Sequence, residues 1–169
     1  NEIDLDKFDI TLSIKALYSS DFLLKKINIG FEENKITDLG KVTNIFLPKF
    51  INNQISKILS MGTIEGEIIV PFDEDGKISK NLRFNGKAKK INIDIFKDFP
   101  IKNLTSEIKY SANEGKEINF NIEKGSILNL TLDKSLINIK INKNRQIIKS
   151  KILTNGKTNY GEIKKFFSL

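Results

Sequence analysis

The sequence predicts a mainly β protein: an extended, twisted antiparallel meander sheet with one continuous hydrophobic side, one amphipathic helix at about 44–60 and a short C-terminal helix. Three observations predict it. Apolar residues recur at every second position through most of the chain, and side chains on a strand point to alternate faces. Polar turn clusters punctuate these runs about every ten residues, as a meander requires. The period changes to helical spacing between Thr43 and Ser60.

The elements follow in order. Ile10, Leu12 and Ile14 alternate in a first strand, and Ser19-Ser20-Asp21 turns the chain. Ile27, Ile29 and Phe31 mark the return strand, and Glu32-Glu33-Asn34 reads as the next polar turn. Ile51, Ile55, Ile58 and Leu59 then fall at i, i+4, i+7, i+8, one stripe of a helix. Pro48 suits its first turn, and Met61-Gly62 closes it. Ile64, Gly66, Ile68, Val70 and Phe72 alternate up to the turn signal Asp73-Glu74-Asp75-Gly76. A strand or pair of strands fills Ile78 to Phe96, with Gly86 as a bulge or bend. Leu104, Ser106, Ile108 and Tyr110 form the next strand, and Asn113-Glu114-Gly115 turns into Ile118 to Ile122. Lys124-Gly125, Asp133-Lys134-Ser135 and Lys143-Asn144-Arg145 read as the remaining turns. They separate strands at Ile127 to Leu132, Leu136 to Ile141 and Gln146 to Leu153, and Gly161 to Leu169 reads as a helical tail. No linker or low-complexity tract interrupts the chain, so residues 1–169 read as a single segment.

Composition narrows the function. With 169 residues the chain can bury a proper core. It starts at Asn1 rather than Met and reads as a piece of a longer protein. No apolar run approaches the ~20 residues that cross a bilayer, so any membrane anchor is expected outside it. It has no Cys and no His, which excludes thiolate and imidazole metal sites and histidine-based triads. The net charge is +7, yet Arg83 and Arg145 are the only arginines among 28 basic residues. Arginine is the favoured residue for bidentate phosphate and base contacts, so its scarcity speaks against nucleic acid. Lysine over arginine and isoleucine over valine fit an AT-rich genome, with the charge spread over solvated faces.

No catalytic constellation emerges, and neither a cofactor nor a metal is expected. Asp73-Glu74-Asp75-Gly76 resembles the start of a calcium loop but lacks the spaced ligands and closing Glu. Asp94 and Asp98 lie i, i+4 on a strand, roughly 13 Å apart at about 3.3 Å per residue, too far for paired catalysis. Lys87-Ala88-Lys89-Lys90 lacks interleaved aromatics that stack bases. The aromatics are 12 Phe and 3 Tyr with no Trp, which suits a core or a surface that meets acyl chains.

One pattern points to a family. Phe46-Leu47-Pro48-Lys49-Phe50 is followed by the Gly62 to Phe72 strand and by Phe84-Asn85-Gly86-Lys87-Ala88. Pro100, Asn103, Leu104, Ile108 and Tyr110 then make a P-x-x-N-L-x-x-x-I-x-Y step, and a glycine-to-isoleucine tail runs from Gly156 to Ile163. Over about Val42 to Leu169 this resembles the repeated β region of the AsmA-like proteins, in particular the large YhdP-type members. Residues 1–40 fit as preceding strands and 42–169 as the family unit. The resemblance implies a sheet curled into an open hydrophobic groove. It implies a periplasmic location, anchored to the inner membrane through a segment not present here, and transfer of phospholipid towards the outer membrane.

On that reading the groove is lined by the more apolar face of each strand: Ile93, Ile95, Phe120, Ile122, Leu128, Leu130, Leu132, Ile137, Ile139 and Ile141. The partners implied are phospholipid, flanking β-groove repeats of the same chain, and membranes through regions outside it. A 16-carbon chain crossing bare water faces a cost on the order of 10 kcal/mol, at about 0.8 kcal/mol per CH₂. An apolar lining removes most of it. Replacing Leu130 or Ile139 with Asp is expected to remove lipid while leaving the sheet folded. Three rivals stand beside this reading. A non-catalytic scaffold would have the same face closed by the helix and by flanking repeats. An outer-membrane barrel would also alternate, but needs aromatic girdles. A nucleic-acid module lacks its arginines.

Overall fold

In the computed structural model, residues 3–13, 23–38, 59–94, 100–112, 115–142, 145–161 and Lys164 are described. They form one ten-stranded antiparallel sheet. The strands are β1 (Leu5–Leu12), β2 (Leu24–Lys35), β3 (Leu59–Ser60), β4 (Thr63–Pro71) and β5 (Arg83–Ile93). β6 (Ile101–Ser111), β7 (Lys116–Ile127), β8 (Leu130–Asn142), β9 (Arg145–Lys151) and β10 (Thr154–Asn155) complete it. Sequence neighbours are spatial neighbours from β1 through β2, β4, β5, β6 and β7 to β8, so the sheet is a meander. The short β3 continues the β4 side of β5, and β9 and β10 share the free side of β8. The sheet is open and uncurled, unlike the curled groove expected from the sequence.

The alternation in the sequence becomes two unlike faces. Register pairs place Ile29, Ile68, Phe84, Tyr110, Ile118 and Ile139 in one lateral row on the same face. The row on one side of it runs Phe31, Gly66, Gly86, Ile108, Phe120 and Ile137, and Ile27 and Val70 begin the row on its other side. The opposite face carries Glu67, Asn85, Lys109, Asn119 and Asn138 in register. The apolar face holds the core cluster, in which Val70, Ala88, Ile91, Ile93, Ile101, Leu104, Leu132 and Ile139 are completely buried.

A line of irregularities crosses the sheet and keeps this face intact. The β5–β6 register shifts between Ala88 and Ile91, where Lys90 has φ 55°. The β6–β7 register shifts between Lys102 and Thr105, beside Asn103 at φ 50°. In β8, Lys134 has φ 46°, and the buried Leu132 and Ser135 lie an odd number of residues apart on either side of it. One extra residue flips every side chain beyond it. A left-handed conformation costs a non-glycine residue about 1–2 kcal/mol, whereas each buried isoleucine contributes about 1.5–3 kcal/mol. Keeping Ile91, Ile93, Ile101 and Leu132 inside therefore outweighs the strain.

Several expectations need correcting, all for this reason. The run Leu128 to Leu132 is not one strand: Leu128 (φ 51°) and Asn129 (φ 62°) form the two-residue turn between β7 and β8. Two left-handed residues give a hairpin turn whose twist matches its strands, and asparagine tolerates that conformation. Lys124-Gly125 and Asp133-Lys134-Ser135, expected as turns, lie inside β7 and β8. Glu32-Glu33-Asn34 is likewise inside β2, where it absorbs a register shift. Gly86 is not a bulge; it pairs regularly with Gly66 and Ile108, and the bulge comes at Lys90.

The helix expected at about 44–60 lies outside the described residues except for its end, where Leu59–Ser60 is the strand β3 paired with Ile93 and Asn92. Met61 (φ 63°) and Gly62 (φ 89°) turn it into β4. Of the C-terminal helix, Tyr160, Gly161 and Lys164 are helical and the rest lies outside the described residues. The turns at Ser19-Ser20-Asp21, Asn113-Glu114 and Lys143-Asn144, and the residues Ile95 and Phe46 to Phe50, also lie outside them.

Candidate functional site

The apolar face is the feature of this chain with chemical consequence. A glycine pair lies near its middle. Gly66 and Gly86 face each other across β4 and β5, and a Cβ on Gly86 would collide with the Glu65 carbonyl oxygen and the Phe84 ring. The missing side chains let Phe84 lie over the backbone, stacked on Phe31 with ring centroids 6.2 Å apart and planes 7° from parallel.

Polar groups on this face are few and tied down. Ser135 Oγ accepts a hydrogen bond from the Leu153 amide (2.8 Å) and donates to the Leu153 carbonyl (3.2 Å), fixing the segment between β9 and β10 to β8. Asn34 accepts from the Asp4 amide (3.0 Å) and donates to the Asp4 carbonyl (3.0 Å), strapping the start of β1 to β2. Ser106 Oγ donates to the Glu107 carbonyl at 2.8 Å. The exception is Tyr110, whose hydroxyl is buried without a hydrogen-bond partner; burial pushes its pKa up.

The opposite face is a solvated polar ladder. Lys89 pairs with Glu33 (2.6 Å) and Glu65 (3.2 Å), and Lys87 with Glu123 (2.6 Å). The hydrogen bond to Lys89, then that from Thr63, holds the Glu33 carboxyl below its usual range, and Lys89 is raised in turn by Glu33 and Glu65. Glu117 is lowered first by the hydrogen bond from Asn138 and then by the charge of Lys140. These groups are exposed, so their pairs add little stability. Asp73 closes a plain turn, its carboxylate accepting from the Asp75 (3.0 Å) and Lys77 (2.9 Å) amides. Among the described residues no cluster of acidic side chains suited to a metal ion occurs, and no helix is long and apolar enough to cross a membrane.

The sequence-predicted residues fall together on the apolar face, with unequal exposure. Ile93, Phe120, Ile122, Leu132, Ile137 and Ile139 are buried to 2% exposure or less. Leu128, Leu130 and Ile141 are half-buried, Leu128 in the hairpin turn. Ile95 lies outside the described residues. The lining expected from the sequence leaves out β1, whose apolar side chains share the face but stand open: Leu5 55%, Phe8 53%, Ile10 52% and Leu12 40% exposed. Their alternation with Lys7, Asp9 and Thr11 was the available signal. At the other edge Ile148 is also exposed. The apolar face thus crosses the whole sheet, covered at its centre and bare along β1 and β9. No family model matches the chain, and neither a curated protein nor a solved structure matches it.

Proposed function

We propose that this chain is a segment of a longer lipid-transfer sheet, in which the apolar face shields phospholipid acyl chains while they pass between two membranes. The observation that carries the reading is the uncapped apolar face: an uncharged row of aliphatic and aromatic side chains reaches both edge strands and ends in solvent at Phe8 on β1. A soluble domain normally ends such a face with inward charges or a covering element. Flanking strands would continue the sheet and curl it into the groove, so the acyl chains meet Leu128, Leu130, Ile141 and the β1 residues first. The head group stays in water, drawn weakly by exposed lysines such as Lys102 and Lys124. The likeness to AsmA-like proteins of the YhdP type supports the same role, and with it a periplasmic place and an inner-membrane anchor elsewhere in the parent protein. No residue reacts; the work is done by lowering the cost of exposing CH₂ groups.

One observation favours a second reading. The centre of the face, around Ile93, Ile101, Leu132 and Ile139, is completely buried, as in a closed scaffold without cargo. Native mass spectrometry with lipid extraction on the purified segment separates the two. Near-stoichiometric phospholipid, lost in Leu130→Asp, is the expected result. A lipid-free protein that takes up no fluorescent phospholipid would leave the scaffold reading. Ile139→Asp no longer serves this test, because it places a charge where no water reaches.

A further inference from the structure

We infer that the two edges of this sheet are complementary to each other, so that β9 of one copy of the chain pairs with β1 of a second copy and the sheet continues head to tail. The inference concerns the segment without flanking strands at its edges, and it does not depend on any lipid. Among the described residues β1 pairs only with β2 and β9 only with β8, and no described strand lies along the outer side of either. Natural edges are usually blunted by proline or inward-pointing charge. Neither strand has a proline, and their inward positions hold Leu5, Phe8, Ile10 and Leu12 on β1 and Ile148 and Ser150 on β9.

Direction agrees with the pairing. The main path crosses eight alternating strands, so the first and last run opposite ways. A copy shifted sideways without rotation therefore sets its β1 antiparallel to β9, with both apolar faces on one side. Charge decides between this and self-pairing. Asp4, Asp6 and Asp9 outnumber Lys7 at the β1 edge, while β9 carries Arg145, Lys149 and Lys151 and no acid. In the antiparallel arrangement the Asp4–Asp6 end of β1 lies beside the Lys149–Lys151 end of β9. Pairing β1 with β1, or β9 with β9, sets like charges across the ladder, which is destabilising. A contact between two different surfaces related by a sideways shift without rotation does not close, so the products are linear chains rather than a two-fold dimer.

The chain has no cysteine, so introduced ones report alone. Phe8→Cys and Ile148→Cys copies, each at an exposed position in the same lateral row, are mixed under mild oxidation after circular dichroism has shown that both keep the sheet. The expected outcome is a disulfide between the two kinds of copy in excess of either same-residue product. Sedimentation of the unmodified chain should show mass rising past the dimer with concentration. Asp6→Lys with Asp9→Lys should weaken association about tenfold, and a Lys149→Glu, Lys151→Glu copy should restore it. A monomer at every concentration, a closed dimer, or same-residue disulfides equal to the mixed one would overturn the inference.

Discussion

The centre of the sheet and its β1 edge are written in the same alternating pattern yet live in different surroundings. Ile93 and Ile139 in the centre are fully buried, whereas Phe8 and Ile10 on β1 are about half exposed, at 53% and 52%. Both sets occupy one face and are joined by register through Ile29 and Ile27. Period-two spacing fixes which face a side chain takes. It carries no information about what lies over that face.

The largest effect that sharpens this contrast comes from truncation. Ile139→Ala should lower unfolding stability by about 3–4 kcal/mol, while Ile10→Ala should cost under about 1 kcal/mol. Urea denaturation of both variants checks it; equal losses would erase the distinction between covered and bare regions. Next comes the glycine pair beneath the stacked rings. Gly86→Ala should cost about 1–3 kcal/mol, because the added methyl forces Phe84 and β4 apart. A neutral result would mean that the Phe31–Phe84 stack tolerates displacement.

Smaller still, and of opposite sign, is Tyr110→Phe. Removing a buried hydroxyl that has no partner should raise stability by about 1 kcal/mol, seen as a higher denaturation midpoint. A loss would show that the hydroxyl is satisfied in solution. The polar face gives the smallest effect. Glu33 and Glu117 have lowered pKa values, so their contribution is complete above the ordinary glutamate value of 4.5 and is lost as the pH falls through the lowered ones. Lys89 is raised, so its share persists below 10.5 and is lost above its raised value. Glu117→Gln should flatten the acid limb of a stability–pH curve slightly and leave the alkaline limb unchanged.

The sheet was legible because Ile, Leu and Phe alternate with Asn, Lys and Glu over long stretches, as at Ile118 to Ile122 and Leu136 to Ile141. The turns were harder. Lys124-Gly125 and Asp133-Lys134-Ser135 carry polar turn chemistry, but burial of Ile122, Ile127, Leu132 and Ile137 holds them extended and places the hairpin at Leu128-Asn129. A leucine at positive φ is a choice that local propensity would not suggest. The bulge line was invisible for the same reason: Lys90 and Lys134 look like surface lysines, and only pairing with neighbouring strands reveals the phase change. The nine described residues among the ten proposed share an apolarity that the sequence displays, whereas the place of β1 at the edge of the same face shows only in three dimensions.

The central claim is that the open apolar face carries acyl chains, and the most direct test is lipid extraction and native mass spectrometry on the segment beside its Leu130→Asp and Phe8→Asp variants. The account predicts bound phospholipid in the parent and its loss in both variants, with circular dichroism unchanged. A lipid-free parent, or lipid retained at the same level in both variants, would contradict it.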